Sequence, residues 1–94
     1  MTQEEILKIA EEVAERVANH GDYYSFYDVF GIDYDENNGA TFTAYVTSFR
    51  DETSNWDEVW CIRNNGEITF TIESEDGYFS SGKYLNLEDF KENY

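Results

Sequence analysis

The sequence contains one histidine, His20, and one cysteine, Cys61, two residue types often recruited for nucleophilic catalysis. A catalytic cysteine needs a base within hydrogen-bond distance, a third group that orients the base, and a positive environment that lowers the thiol pKa. An acidic chain supplies the opposite field. The sequence also lacks a glycine-rich phosphate loop and a nucleophile elbow, so we predict that both residues are structural and that the protein is not an enzyme.

Several pairs of neighbouring carboxylates could in principle act as a general acid and a general base. The chain has 21 Asp and Glu among 94 residues, so such pairs are expected by chance and receive no catalytic role here. The pairs are Asp33 with Asp35, Asp51 with Glu52, Asp57 with Glu58, and Glu75 with Asp76.

The spacing Asp33-x-Asp35-x-Asn37 resembles the start of a calcium-binding EF-hand loop, in which alternating oxygen ligands surround one cation. The rest of the segment departs from that pattern, because Asn38 stands where glycine is required and Ala44 stands where a bidentate glutamate is required. We therefore interpret the segment as an acidic β-turn and expect no cofactor. Weak binding of a divalent cation at this turn is left open.

The first element that could position these residues is an amphipathic helix over residues 3–19. Thr2 and Glu5 have the spacing of a capping box, and apolar residues recur at helical intervals from Ile6 to Val17. Gly21 is the expected stop. The charged residues occupy the opposite side, so the helix is predicted to pack with one face on a core.

Four strands are predicted after the helix, because apolar and polar residues then alternate with a period of two. In the first strand, Phe26, Phe30 and Tyr34 fall on one side; in the third, Trp56, Glu58 and Trp60 share a side. Asn-Asn-Gly sequences supply two hairpin turns. The strands cover residues 24–35, 41–49, 56–63 and 67–73, and the turns lie at 37–39 and 64–66.

The C-terminal part is predicted to be a loop over residues 75–83 followed by a short helix capped by Asn86, with Leu85 and Phe90 spaced as a hydrophobic staple. The predicted fold is one α+β domain over residues 1–94, with an N-terminal helix packed on a four-stranded antiparallel β-meander. One helix covers only one face of such a sheet. The other face must meet solvent or a partner, and dimerisation through it is left open.

Charge is the dominant feature of the composition, since 6 basic and 21 acidic residues give a net charge of −15. Solubility of a small domain needs a magnitude of only about 2 to 8, and the excess costs stability through self-repulsion. A function or a high-salt environment is therefore expected to maintain it. Such acidity disfavours contact with anionic lipid and nucleic acid, and the single cysteine and polar N-terminus predict a cytoplasmic location.

Carboxylates two residues apart on a strand are about 6.6–6.8 Å apart, and duplex DNA carries one charge per about 1.7 Å of axis. A folded acidic sheet could therefore imitate a phosphate backbone. We predict that this chain binds a basic DNA- or RNA-binding protein through such a surface, with aromatic residues adding contact area. The predicted contact residues are Asp33, Asp35, Glu36, Asp51, Glu52, Trp56, Asp57, Glu58, Glu75, Asp76 and Tyr78.

In size, charge, lone cysteine and helix-plus-meander layout, the chain resembles the small acidic inhibitors made by phages and mobile elements. These include anti-CRISPR proteins, antirestriction proteins and uracil-DNA glycosylase inhibitors. The resemblance covers overall character and no alignable motif, so no functional residue carries over. It implies a non-enzymatic DNA mimic that blocks a nuclease, with a CRISPR-Cas effector as the favoured target. The alternatives are an immunity protein against a basic nuclease toxin, and a calcium-responsive or halophilic housekeeping domain.

Overall fold

The computed structural model describes residues 1–74, 77 and 79–94. The α+β class, the N-terminal helix, the antiparallel sheet and the short C-terminal helix are as predicted, but the sheet has six strands and not four. Neither helix of the described chain is long and apolar enough to cross a membrane. The elements are α1 (Gln3–Ala18), β1 (Ser25–Val29), β2 (Asp33–Asp35), β3 (Gly39–Ser48), β4 (Ser54–Ile62), β5 (Ile68–Ser74), β6 (Phe79–Tyr84) and α2 (Leu87–Asn93).

Helix α1 begins with the predicted capping box. The Thr2 hydroxyl oxygen accepts a hydrogen bond from the Glu5 N–H at 3.2 Å, and the Glu5 carboxylate accepts one from the Thr2 N–H at 3.0 Å. The helix ends at Ala18 with Asn19 as its C-cap, so the predicted stop at Gly21 is wrong. The reason is that the Asn19 backbone and side chain both donate to the Glu15 carbonyl, which satisfies the last turn before the glycine is reached.

All strand pairs are antiparallel, in the order β1-β3-β4-β5-β6, with β2 paired to the same edge of β3 as β1. Even-numbered side chains of β3, β4 and β5 point towards α1, and the odd-numbered ones point away. The prediction that Ile68, Phe70 and Ile72 share an inner face agrees with this arrangement. We call the side turned away from α1 the open face. The core between α1, α2 and the sheet includes Ile6, Val13, Val17, Phe42, Trp60, Ile62, Ile68 and Phe90.

The strand predicted over residues 24–35 is two strands separated by a bulge. Val29 pairs with Ala44 and Asp33 pairs with Thr41, so three residues on the edge lie opposite two residues of β3. One extra residue reverses the alternation of side chains. The prediction that Phe26 and Tyr34 share a side is therefore wrong, since Tyr34 packs on the core while Phe26 is 59% exposed.

The segment predicted as a loop over residues 75–83 contributes the edge strand β6 from Phe79 onward. Serine and glycine at positions 80–82 have low strand propensity, which explains the wrong prediction. Gly82 lies opposite Phe70, and a Cβ at Gly82 would come within 2.8 Å of the Phe70 ring. The glycine therefore makes room for the ring, a cross-strand requirement that local sequence does not reveal.

Replacing Gly39 by alanine is expected to lower the free energy of unfolding by at least about 1–3 kcal/mol. Gly39 has a φ of 95°, and a Cβ at this position would collide with the carbonyl oxygen of Ile62. Urea denaturation followed by circular dichroism measures the change. Gly31→Ala is the matched control, because Gly31 is exposed and has nothing within 4 Å of an added Cβ. Equal losses at both positions would contradict the close approach of this turn to β4.

Candidate functional site

His20 and Cys61 lie on opposite faces of the sheet and form no catalytic dyad. The His20 ring packs against Tyr27 and Tyr94 on the α1 side, with centroid distances of 5.4 and 4.2 Å. Cys61 occupies an odd-numbered position of β4, and its thiol donates to the Asn38 carbonyl at 3.3 Å. Burial raises the pKa of this thiol, so it remains protonated at neutral pH and is a poor nucleophile.

Asp35 is engaged by its own turn. One carboxylate oxygen accepts a hydrogen bond from the Asn37 N–H at 2.8 Å, and the other accepts one from the Asn38 side chain at 3.2 Å. Within the described part of the chain, no group of three or more His, Cys, Asp or Glu side chains is arranged to hold a metal ion. The hydrogen bonds of Asp35 support the interpretation of residues 33–37 as an acidic turn.

A row of side chains crosses the open face from edge to edge. Its members, each directly opposite the next, are Asp28, Tyr45, Asp57, Glu73 and Phe79. Neighbouring strands are about 4.8 Å apart, so Asp57 and Glu73 are adjacent like charges, an arrangement that destabilises a sheet. No cation among the described residues forms an ion pair with Asp57 or Glu73.

Carboxylates predominate along the strands. The six strands contain six carboxylates and one cation, Lys83, which lies 3.6 Å from Glu67. Five of the six carboxylates point to the open face, and the sixth, Glu58, points to the core side. The five are Asp28, Asp33, Asp35, Asp57 and Glu73.

Exposed aromatic pairs lie beside these carboxylates. The Phe30 and Tyr45 rings are in edge contact at 4.8 Å, and the Phe26 and Phe49 rings are 6.0 Å apart. All four side chains are about half exposed. The open face therefore combines negative charge with exposed aromatic rings. This is the combination expected of a surface that binds a protein partner.

The predicted contact residues do not form one patch. Residues 33–36 lie at the β2–β3 turn, while residues 51–52 lie in the loop between β3 and β4, at the other end of the ten-residue strand β3. These two ends are about 30 Å apart at 3.3 Å per residue. Asp57 lies between them on the open face, and Glu75, Asp76 and Tyr78 lie outside the described residues.

Glu58 and Trp56, which were predicted to act with Asp57, lie on the core side of the sheet. Glu58 is only 5% exposed, and its carboxylate accepts one hydrogen bond from each neighbouring indole. Trp56 Nε1 donates to Oε2 at 2.9 Å, and Trp60 Nε1 donates to Oε1 at 3.1 Å. Successive strand residues point to opposite faces, so Asp57 and Glu58 serve different surfaces, which corrects the prediction that they act together.

A cavity of about 510 Å³ opens beside Glu58 on the core side. Burial raises the pKa of the Tyr27 and Tyr94 hydroxyls, and the nearby Glu58 carboxylate adds to the effect, so both stay neutral. The Tyr94 hydroxyl is buried and has no hydrogen-bond partner within the described chain. The aromatic rings that line the cavity belong to His20, Tyr27, Trp56, Trp60, Phe70 and Tyr94.

Sequence reasoning missed this cavity, although one signal was present. Trp56-x-Glu58-x-Trp60 places a carboxylate between two indole donors on one side of the predicted strand. The contribution of Tyr94 and His20 depends on how the two helix ends meet the sheet, which the strand pattern does not contain.

Comparison of the chain with protein-family models, with curated proteins and with solved structures found no match in any of the three. The open face and the cavity beside Glu58 are therefore the two candidate sites.

Proposed function

We propose that the protein is a non-enzymatic inhibitor whose open face binds a basic nucleic-acid-handling protein in place of DNA. The observation that carries this proposal is the uncompensated row containing Asp28, Asp57 and Glu73. Cross-strand pairs change sheet stability by about 0.2–1 kcal/mol, and adjacent like charges are unfavourable. Cations of a partner would offset this repulsion on binding, so the arrangement is more favourable in a complex than in the free protein.

The spacing of the carboxylates supports imitation of a phosphate backbone. Asp33 and Asp35 are two residues apart on β2, a separation of about 6.6–6.8 Å. Asp28 and Asp57 are two strands apart in the transverse row, a separation of about 9.6 Å. When a groove lined with Arg and Lys binds DNA, counterions are released from the phosphates into solution and binding becomes more favourable, and an acidic surface with comparable charge density offers a similar gain.

The aromatic residues favour a protein partner over simple solvation of a charged surface. Phe26 is 59% exposed, Phe30 is 52% exposed and Tyr45 is 49% exposed on the same face as the carboxylates. Aromatic side chains contribute strongly to protein–protein binding when a partner buries them. The favoured target is a nuclease with a basic DNA groove, and a CRISPR-Cas effector is the version we favour.

The test is competition between this protein and DNA for the same nuclease. A labelled duplex is bound to purified Cas effectors or to basic nuclease toxins, and its displacement by the protein is followed by fluorescence anisotropy. We expect competitive displacement whose apparent affinity falls steeply between about 50 and 200 mM salt, as expected when carboxylates replace phosphates.

The identity of the responding nuclease distinguishes two versions of the proposal. Displacement from a Cas effector indicates a defence inhibitor, whereas displacement from a toxin indicates an immunity protein. Binding that leaves DNA in place, or that is indifferent to salt, would refute DNA mimicry.

A further inference from the structure

We infer that the cavity beside Glu58 is a binding site for a small substituted ammonium cation of the choline type. This inference goes beyond the proposed inhibitor function and does not depend on it, because the cavity and the open face lie on opposite sides of the sheet. The cavity volume of about 510 Å³ lies in the usual range of small-molecule sites, about 300–1,000 Å³.

The Glu58 carboxylate has an unusual combination of hydrogen-bond partners. Glu58 is 5% exposed, and its hydrogen-bond donors, the Trp56 and Trp60 indoles, are both neutral. No cation in the described chain forms an ion pair with it. Buried carboxylates are normally paired with a cation. An ammonium group in the cavity would supply the missing positive charge.

Aromatic rings line much of the cavity. Rings attract cations through the negative potential of their faces, and groups of such rings are the usual means of binding quaternary ammonium ions. The indole N–H lies in the ring plane, so the hydrogen bond from Trp56 to Glu58 leaves its faces available. Trp56 is half-buried and contacts no other ring among the described residues. Trp56 lines the cavity together with Tyr27 and Tyr94.

Tyr94 lines the cavity, and its hydroxyl is buried without a hydrogen-bond partner in the described chain. Buried polar groups in proteins are nearly always satisfied. A ligand with an alcohol or carbonyl oxygen near its ammonium group would accept this hydrogen bond, so choline fits the site better than tetramethylammonium.

Intrinsic fluorescence reports occupancy directly, because both tryptophans of the chain line the cavity. The full chain is titrated with choline and with 3,3-dimethylbutan-1-ol, a neutral molecule of the same shape in which carbon replaces the ammonium nitrogen. We expect a saturable fluorescence change with choline, a stoichiometry of one by calorimetry, and affinity at least about tenfold higher for choline than for the alcohol.

Glu58→Gln tests the role of the charge, because it keeps the side-chain shape. We expect choline affinity to fall by about tenfold or more while affinity for the neutral alcohol changes little. Asp57→Asn is the matched control, since it removes the same charge from the neighbouring residue on the open face. That variant should retain choline affinity within about twofold, because exposed charges on the far side are screened.

Tyr94→Phe provides a second test that does not disturb the Glu58 hydrogen bonds. It removes only the unpartnered hydroxyl, so the fold should be retained, and it is expected to weaken choline binding without affecting tetramethylammonium, which has no acceptor. Equal affinity for choline and the neutral alcohol, no saturable change with either, or full retention of choline binding in both variants would overturn the inference. Glu58 would then serve only to join the two indoles. Loss of nuclease binding alone would leave these results unchanged, so the two proposals fail independently.

Discussion

The double variant Asp28→Lys with Asp57→Lys is expected to bind the target nuclease about a hundredfold more weakly, or worse. Loss of one close charge pair at an interface costs about 2–5 kcal/mol, and 1.4 kcal/mol corresponds to a tenfold change in affinity. Both residues lie in the row that crosses the open face, with Tyr45 between them. The loss is measured in the DNA-competition assay at fixed salt.

The single variant Asp57→Lys separates binding from folding. Lysine at position 57 would lie opposite Glu73, so a repulsive neighbour becomes an attractive one. The free energy of unfolding of Asp57→Lys alone is therefore expected to stay constant or rise by about 0.2–1 kcal/mol. Weak binding by a protein that is at least as stable as the wild type cannot be attributed to unfolding.

Glu11→Lys with Glu15→Lys is the matched control, because it changes the net charge by the same amount. Both residues are exposed on α1, on the other side of the sheet from the open face. We expect less than about a tenfold effect, since charges separated by more than a Debye length are largely screened. Loss of binding in this variant, with binding retained in the open-face variant, would place the interface on α1.

The central strands could be predicted from the sequence because each has one buried side. The alternation that groups Phe42 with Val46, Trp60 with Ile62, and Ile68 with Ile72 matches the structure, in which Phe42, Trp60 and Ile68 are buried. In these strands burial and pattern agree, since a shift of one residue would expose the entire apolar set.

The edge strands could not be predicted in the same way. An edge strand is hydrogen-bonded to another strand on one side only. Its residues are therefore determined more by contacts with that neighbour than by a local sequence pattern. Three residues between Val29 and Asp33 lie opposite two residues of β3. Gly31 is one of the three, and a glycine within a strand is a bulge signal that the prediction of one continuous strand did not use. Gly82 weakens the strand signal of β6, yet the Phe70 ring requires a glycine there.

The candidate sites show a similar division. Composition predicts an acidic surface but treats Asp57 and Glu58 alike, whereas the structure exposes one and buries the other. The odd and even positions of Asp57 and Glu58 on the strand are sufficient to assign them to opposite faces. The cavity was not predictable, because Tyr94 reaches it from the last residue of the chain and His20 from the end of α1. Such contacts between distant segments arise only from tertiary packing.

Trp60→Ala is expected to lower the free energy of unfolding by about 3–5 kcal/mol, a large part of the 5–15 kcal/mol typical of a native protein. Trp60 is 2% exposed, and its ring contacts extend to β3, β5, β6 and α2. The substitution therefore leaves a cavity between the sheet and α2. Urea denaturation followed by far-ultraviolet circular dichroism measures the loss.

Tyr45→Ala is the control for Trp60→Ala, since it removes a large aromatic side chain from the open face, where 49% of it is exposed, and should cost less than about 1 kcal/mol. Trp60→Phe separates packing from hydrogen bonding. It retains an aromatic ring but removes one of the two indole donors to Glu58, which should cost about 1–3 kcal/mol for the buried group left without that partner. If Trp60→Phe were as stable as the wild type, the hydrogen bond to Glu58 would add nothing to folding. If Trp60→Ala were no worse than Tyr45→Ala, Trp60 would not be the centre of the core.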